Sequence, residues 1–89
     1  MSDELRAQVL IGDDAESFVE SDLGRTIIGM AKQDADLAAI EFKDADLKDD
    51  RKLRELQNRI WRATQFEDWL KELITKGREA LEVLKHHES

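Results

Sequence analysis

The chain has 89 residues, 40% of them hydrophobic and 39% charged, with a formal net charge of −7 at pH 7. This length predicts a single domain over residues 1–89, and the apolar content is too high for an intrinsically disordered chain. The absence of proline and cysteine and the presence of only four glycines exclude an all-β fold rich in turns, a disulfide framework and a thiolate metal site.

The N-terminal part predicts a short helix over residues 3–11. Gly12 is expected to end it, because a residue without a Cβ suits the left-handed position that follows a helix. Asp13 and Asp14 are then N-cap candidates for the next helix. Glu16 stands three residues after Asp13, which is the spacing of a capping box.

A second helical segment is predicted from Ala15 to about Asp44, because apolar residues recur there at helical spacing. Ser17 and Ser21 can each restart a helix, so the segment is either one helix or two that meet near Ser21. Three further apolar residues widen the stripe and indicate burial on more than one side: Ile28, Leu37 and Ile40. Two glycines inside the segment are interpreted as positions of close helix packing: Gly24 and Gly29.

The aspartate-rich run 44–50 predicts a chain reversal, because aspartate side chains compete for backbone hydrogen bonds and favour helix caps. One of three aspartates is expected to cap the helix that follows: Asp46, Asp49 or Asp50. This last helix is predicted over about residues 47–85. It is either continuous, which we favour, or divided at the capping box Thr64-x-x-Glu67. The apolar pattern carries it through Gly77.

Heptad spacing in the last helix predicts a packing seam. Two tracks fall on one side of the helix. They comprise Leu53, Ile60, Ile74 and Leu81, with Glu67 as a break, and Leu56, Ala63, Leu70, Gly77 and Leu84. We therefore predict an all-α fold, with a short N-terminal helix followed by a long antiparallel helical hairpin. One hairpin cannot cover both faces of its stripes, so we expect a homodimer that forms a helical bundle.

Ten residues are expected to carry self-association: Leu53, Leu56, Ile60, Trp61, Phe66, Trp69, Leu70, Ile74, Leu81 and Leu84. The three aromatic residues among them either anchor the core of the hairpin or lie at its margin, where aromatic side chains often become interface anchors. The expected partners are therefore the chain itself and another protein.

Charge is divided unevenly along the chain. Residues 1–46 contain twelve acidic and four basic residues, and residues 47–89 contain nine acidic and ten basic residues. The two parts either attract each other across the hairpin, or the acidic part faces a basic partner.

A nucleic-acid-binding regulator is the alternative function. Basic residues beside an aromatic can bind phosphate and stack on a base. Five are concentrated around Trp61: Arg51, Lys52, Arg54, Arg59 and Arg62. The net charge of −7 opposes such binding, and pairing with the acidic part explains the same residues. The acidic part is also compatible with mimicry of a nucleic acid.

An enzyme is not expected, and neither is a metal or other cofactor. His86 and His87 are adjacent, so they point to different sides of a helix and do not form a chelating pair. A calcium loop that starts at Asp44 has Glu55 at its twelfth position but Asp49 in place of the required glycine. No signal peptide or membrane span is apparent, which favours a soluble, cytoplasmic protein.

Two segments, Gly12–Met30 and Leu56–Leu84, resemble small uncharacterised proteins of tailed bacteriophages and prophages. The resemblance lies in Phe18, the run Ser21–Arg25, Leu56-Gln57-Asn58 and the pattern from Phe66-x-x-Trp69-Leu70 through Gly77 to Ala80-Leu81. It implies a phage accessory or virion-associated protein, which acts in the host cytoplasm or within the virion. It supplies no site residues.

Overall fold

Three α-helices form the chain in the computed structural model, which describes residues 2–88 and the side chains of residues 3–87. They are α1 (Ser2–Glu20), α2 (Asp22–Asp44) and α3 (Asp50–Glu88). No strand occurs within residues 2–88, so the prediction of an all-α fold is confirmed.

Of the two alternatives for the second segment, the break near Ser21 is the one present, since α1 ends at Glu20 and α2 begins at Asp22. The Ser21 hydroxyl donates to the Phe18 carbonyl oxygen at 2.6 Å and accepts from the Gly24 N–H at 2.9 Å. Ser21 therefore caps α2, because its hydroxyl accepts from the N–H of Gly24, the third residue of that helix. A Cβ on Gly24 would lie 1.5 Å from the Phe18 carbonyl oxygen, so the close contact of Gly24 is with the end of α1.

The predicted end of the first helix at Gly12 is wrong, because α1 continues through Gly12, Asp13 and Asp14 to Glu20. Gly12 is buried against Gly77 of α3. A Cβ on Gly12 would lie 2.9 Å from the Cα of Gly77, and a Cβ on Gly77 would lie 2.9 Å from the Cα of Gly12. Gly12 thus permits close approach of two helices, and the aspartates after it are exposed positions inside α1.

The helices contribute to two compact units. The terminal unit contains the residues up to Arg25 and those from Asp68 onward, so α1 packs there with the later part of α3. Its buried residues are Gly12, Ala15, Gly24, Gly77 and Ala80. An ion pair between Arg78 and Glu16, at 3.0 Å, joins its two segments.

The central unit contains residues 26–67, namely most of α2, the intervening turn and the first part of α3. Ala38 and Leu56 are fully buried in it. Lys32 pairs with Glu67 at 3.7 Å, so the residue that interrupts the heptad track is bound to a lysine of α2.

The predicted reversal lies at residues 45–49, between α2 and α3. Of the three cap candidates, Asp49 is the one that caps α3, since its carboxylate accepts from the Lys52 N–H at 3.1 Å. Asp46 instead accepts from the Lys48 N–H at 2.9 Å, inside the turn.

The last helix is continuous, as predicted, from Asp50 through Gly77 to Glu88. Thr64 does not begin a new helix. Its hydroxyl donates to the Ile60 carbonyl oxygen at 3.1 Å, a bond that serines and threonines make inside helices. The interpretation of Gly29 as a close-packing position is also wrong, because nothing lies within 4 Å of a Cβ placed there.

Candidate interaction surface

The two tryptophans of α3 present large aromatic surfaces to solvent. Trp61 exposes 60% of its surface and Trp69 exposes 54%, whereas Phe66 between them in sequence is half-buried. Exposed aromatic side chains contribute strongly when a partner covers them, because they remove a large and mainly apolar area from water.

The heptad seam of α3 is partly covered within the chain itself. Leu56 is fully buried in the central unit, and Leu81 of the terminal unit is exposed. The remaining seam residues of the predicted interface are half-buried: Leu53, Ile60, Leu70, Ile74 and Leu84. The seam therefore contributes first to packing inside each unit, and its outer edges remain accessible.

A second apolar face lies on α2 and was missed by the sequence-based interface, which drew its residues from α3 alone. Within the central unit, Met30, Leu37 and Ile40 expose 64%, 50% and 58% of their surfaces. The burial expected for Leu37 and Ile40 is thus not provided by this chain. The signal for this face was present in the sequence as a spacing of seven residues from Leu23 to Met30 to Leu37.

The five candidate nucleic-acid contacts fall into two groups. Lys52 and Arg59 are half-buried and bound to acidic residues of α2. The other three are exposed: Arg51, Arg54 and Arg62. The Arg62 Nε–H also donates to the Asn58 carbonyl oxygen of the same helix at 3.3 Å.

Arg59 is the centre of the ion-pair network in the central unit. Its Nη2 donates to Asp34 Oδ1 at 2.7 Å, its Nε donates to Oδ2 at 3.5 Å, and its Nη1 lies 3.6 Å from Glu41 Oε2. Lys52 Nζ lies 3.6 Å from the same Glu41 oxygen. The hydrogen bond from Arg59 lowers the pKa of Asp34, because the guanidinium favours the ionised carboxylate. The same bond raises the pKa of Arg59.

An open depression of about 230 Å³ lies on α3 in the central unit, lined by Glu55, Asn58, Trp61 and Arg62. It places an exposed indole beside a guanidinium and an amide. Of the residues that line it, Glu55 is a carboxylate and none is a hydroxyl or a histidine, so the depression offers stacking and hydrogen bonding without an acid–base pair.

Neither a cluster of metal-ligating side chains nor a membrane-spanning helix is found in the part of the chain that the structure describes. Within residues 2–88, no three histidine or acidic side chains are close enough together to hold a metal ion. Every buried side-chain nitrogen or oxygen of the described residues has a hydrogen-bond partner. None of the described helices combines the length and apolar content needed to cross a bilayer.

No protein-family model, curated protein or solved structure matches this chain.

Proposed function

We propose that the chain acts without catalysis, as a small accessory or assembly protein that presents helical surfaces to a second copy of itself and to other proteins. The resemblance described above favours a phage-type protein that acts in the host cytoplasm or within the virion. One observation carries the proposal: the described part of the chain leaves half of its large apolar side chains exposed and buries only one of them, Leu56.

The imbalance between buried and exposed apolar residues is large. Among the described residues, Ala15, Ala38, Leu56 and Ala80 are the buried hydrophobic ones, and Leu56 is the largest of them. Thirteen large hydrophobic side chains are exposed in the same part of the chain. Burial of apolar surface stabilises by about 25 cal/mol per Å², so a partner that covers these side chains gains binding free energy from them.

The expected architecture is an antiparallel hairpin that dimerises into a helical bundle. The ion pairs of the central unit support the hairpin, since they join Lys32 to Glu67, Asp34 to Arg59 and Glu41 to Lys52. In these pairs the residue numbers rise on α2 while they fall on α3, which is the order expected of an antiparallel hairpin. A two-layer hairpin covers one side of each helix, and a two-fold dimer is the simplest way to cover another.

Sedimentation equilibrium of the full chain over a range of concentrations tests self-association. We expect a mass that rises with concentration to twice the 10.3 kDa of one chain. A mass of one chain at every concentration would contradict the proposal, because the apolar faces would then remain uncovered.

A nucleic-acid-binding regulator is the second candidate function. The observation that favours it is the exposed Trp61 beside the exposed Arg62, with Arg51 and Arg54 also free of ion pairs within the described residues. An electrophoretic shift assay with single-stranded and duplex oligonucleotides, repeated at several salt concentrations, tests it. Phosphate contacts require affinity that falls steeply as salt rises. Absence of a shift at low salt excludes this candidate.

A further inference from the structure

The outer face of α2 in the central unit is apolar and uncovered. Leu37 and Ile40 are three residues apart, and Met30 precedes Leu37 by seven, so the three share one side of the helix. The other side of α2 carries Ala38, which is fully buried, and Phe42, which is half-buried. The helix thus has one apolar side that packs inside its unit and another that does not.

Four exposed apolar residues, including those three, have the same intervals in sequence whether they are counted forward or backward along the chain. Leu47 lies in the turn after α2 and is 79% exposed. It follows Ile40 by seven residues, as Leu37 follows Met30 by seven. The positions 30, 37, 40 and 47 are therefore symmetric about the point between Leu37 and Ile40.

Two charged residues flank this face and form no ion pair within the part of the chain that is described. Asp36 and Lys43 are both exposed. They are seven residues apart, about 10.5 Å along the helix axis, and are too far apart to pair with each other. One acid and one base at equivalent helical positions make the face complementary in charge to an inverted copy of itself.

We propose that the α2 face of Met30, Leu37 and Ile40, together with Leu47, binds the same face of a second copy in an antiparallel arrangement. The two-fold axis passes between Leu37 and Ile40. It places Leu37 against Ile40 of the second copy and brings Met30 near Leu47 of the second copy. The same operation places Asp36 and Lys43 of the second copy on the same flank of the seam, about 3 Å apart along the helix axis, and each of these contacts forms twice.

Charge also favours the antiparallel direction. Asp36 and Lys43 share one flank of the face, so they meet only when the second copy runs in the opposite direction. In a parallel pair they lie on opposite flanks of the seam. On the other flank, the antiparallel arrangement brings Asp34 near Glu41 of the second copy, but both acids are already paired within their own chain, with Arg59 and Lys52.

This inference rests on the proposed self-association and names the surface that carries it. Its first test compares the dimer dissociation constants of the full chain, the Leu37→Glu variant and the Trp61→Ser variant by sedimentation equilibrium. Both residues are exposed, so both variants are expected to keep the helical circular dichroism of the parent chain. We expect Leu37→Glu to weaken dimerisation at least about tenfold, since it places charges in the seam, and Trp61→Ser to change it by less than about threefold.

Charge reversal tests the register and the direction without removing apolar surface. Asp36→Lys and Lys43→Asp each bring like charges together at both symmetry-related contacts of the dimer. Each is expected to weaken dimerisation about tenfold. The double variant has the net charge of the parent chain and is expected to return to within about threefold of its affinity. Recovery in the double variant distinguishes a direct contact from a change in the fold.

The outcomes separate this inference from the proposed function. A parent chain that stays monomeric contradicts both. A parent dimer that Trp61→Ser dissociates and Leu37→Glu does not would overturn the α2 face while self-association stands. Single charge variants without effect, or a double variant that stays weak, would overturn the antiparallel pairing.

Discussion

Gly12 of α1 and Gly77 of α3 face each other so closely that a Cβ on either would lie 2.9 Å from the Cα of the other. Both are buried, and the nearest atoms belong to backbone, which cannot rotate away as a flexible side chain can. This contact lets two helices of the terminal unit approach with little side-chain volume between them.

We expect Gly12→Ala and Gly77→Ala each to introduce about 1–3 kcal/mol of strain, because the added methyl group forces the helices apart. The gain in helix propensity offsets about 1 kcal/mol of this strain, so the free energy of unfolding falls by up to about 2 kcal/mol. Urea unfolding followed by circular dichroism measures the change. The matched control is Gly29→Ala, which meets open space and is expected to raise the free energy of unfolding by about 0.5–1 kcal/mol. Equal effects at Gly29 and Gly12 would contradict the packing role.

Ser21 caps α2, and its removal should destabilise the junction between α1 and α2. We expect Ser21→Ala to cost about 1 kcal/mol, because the Gly24 N–H loses its acceptor. Ser17 provides the control, since it lies exposed inside α1, where alanine is the better helix former. Thermal unfolding of the two variants should therefore move the midpoint down for Ser21→Ala and leave it unchanged or higher for Ser17→Ala.

Leu56 is the largest fully buried side chain among the described residues, so its truncation should be the most damaging single change in the central unit. We expect Leu56→Ala to lower the free energy of unfolding by about 2–5 kcal/mol through lost burial and a residual cavity. Leu10→Ala removes the same atoms from an exposed site of α1 and should change stability by less than about 0.5 kcal/mol. Chemical unfolding curves that coincide for the two variants would show that Leu56 is not a core residue.

The ion pair of Asp34 with Arg59 predicts a dependence of stability on pH. The pKa of Asp34 in the folded chain lies below its ordinary value of 3.8, so the ionised carboxylate stabilises the fold. This contribution is complete above the ordinary value and is lost as pH falls through the lower folded pKa. Arg59 stays charged throughout this range.

The difference in unfolding free energy between the parent chain and Asp34→Asn should therefore be constant near neutral pH and disappear in strong acid. Urea unfolding at a series of pH values measures it, with Asp13→Asn as an exposed control outside the central unit. A difference that persists unchanged at about pH 2 would show that the Asp34 side chain stabilises the fold through its packing and not through the negative charge of its carboxylate.

Local chemistry made several features of the fold predictable. The turn at 45–49, the cap of Asp49 and the break at Ser21 all depend on side chains that bond to backbone within three residues. The continuity of α3 likewise follows from an apolar pattern that no proline interrupts. The end placed at Gly12 was wrong because its packing partner is Gly77, which no short-range rule connects to it.

The candidate surface was predictable only in part. The exposed tryptophans were among the residues named for association, whereas Leu37 and Ile40 of the α2 face were expected to be buried but were not named for association. Among the basic residues, spacing alone did not separate Arg59, which binds Asp34, from Arg54, which stays exposed.

The sequence by itself determined that the chain is helical. It also limited the second segment to one helix or two that meet near Ser21, and the cap of the last helix to Asp46, Asp49 or Asp50. These properties depend on hydrogen bonds that close within about four residues and on the helical repeat of side chains. Only the tertiary structure decided which stripe packs inside each unit, which glycine permits close approach and which cations are neutralised. Burial and charge pairing depend on segments that are distant in sequence. The side that each helix turns toward its neighbour is set only when those segments pack together.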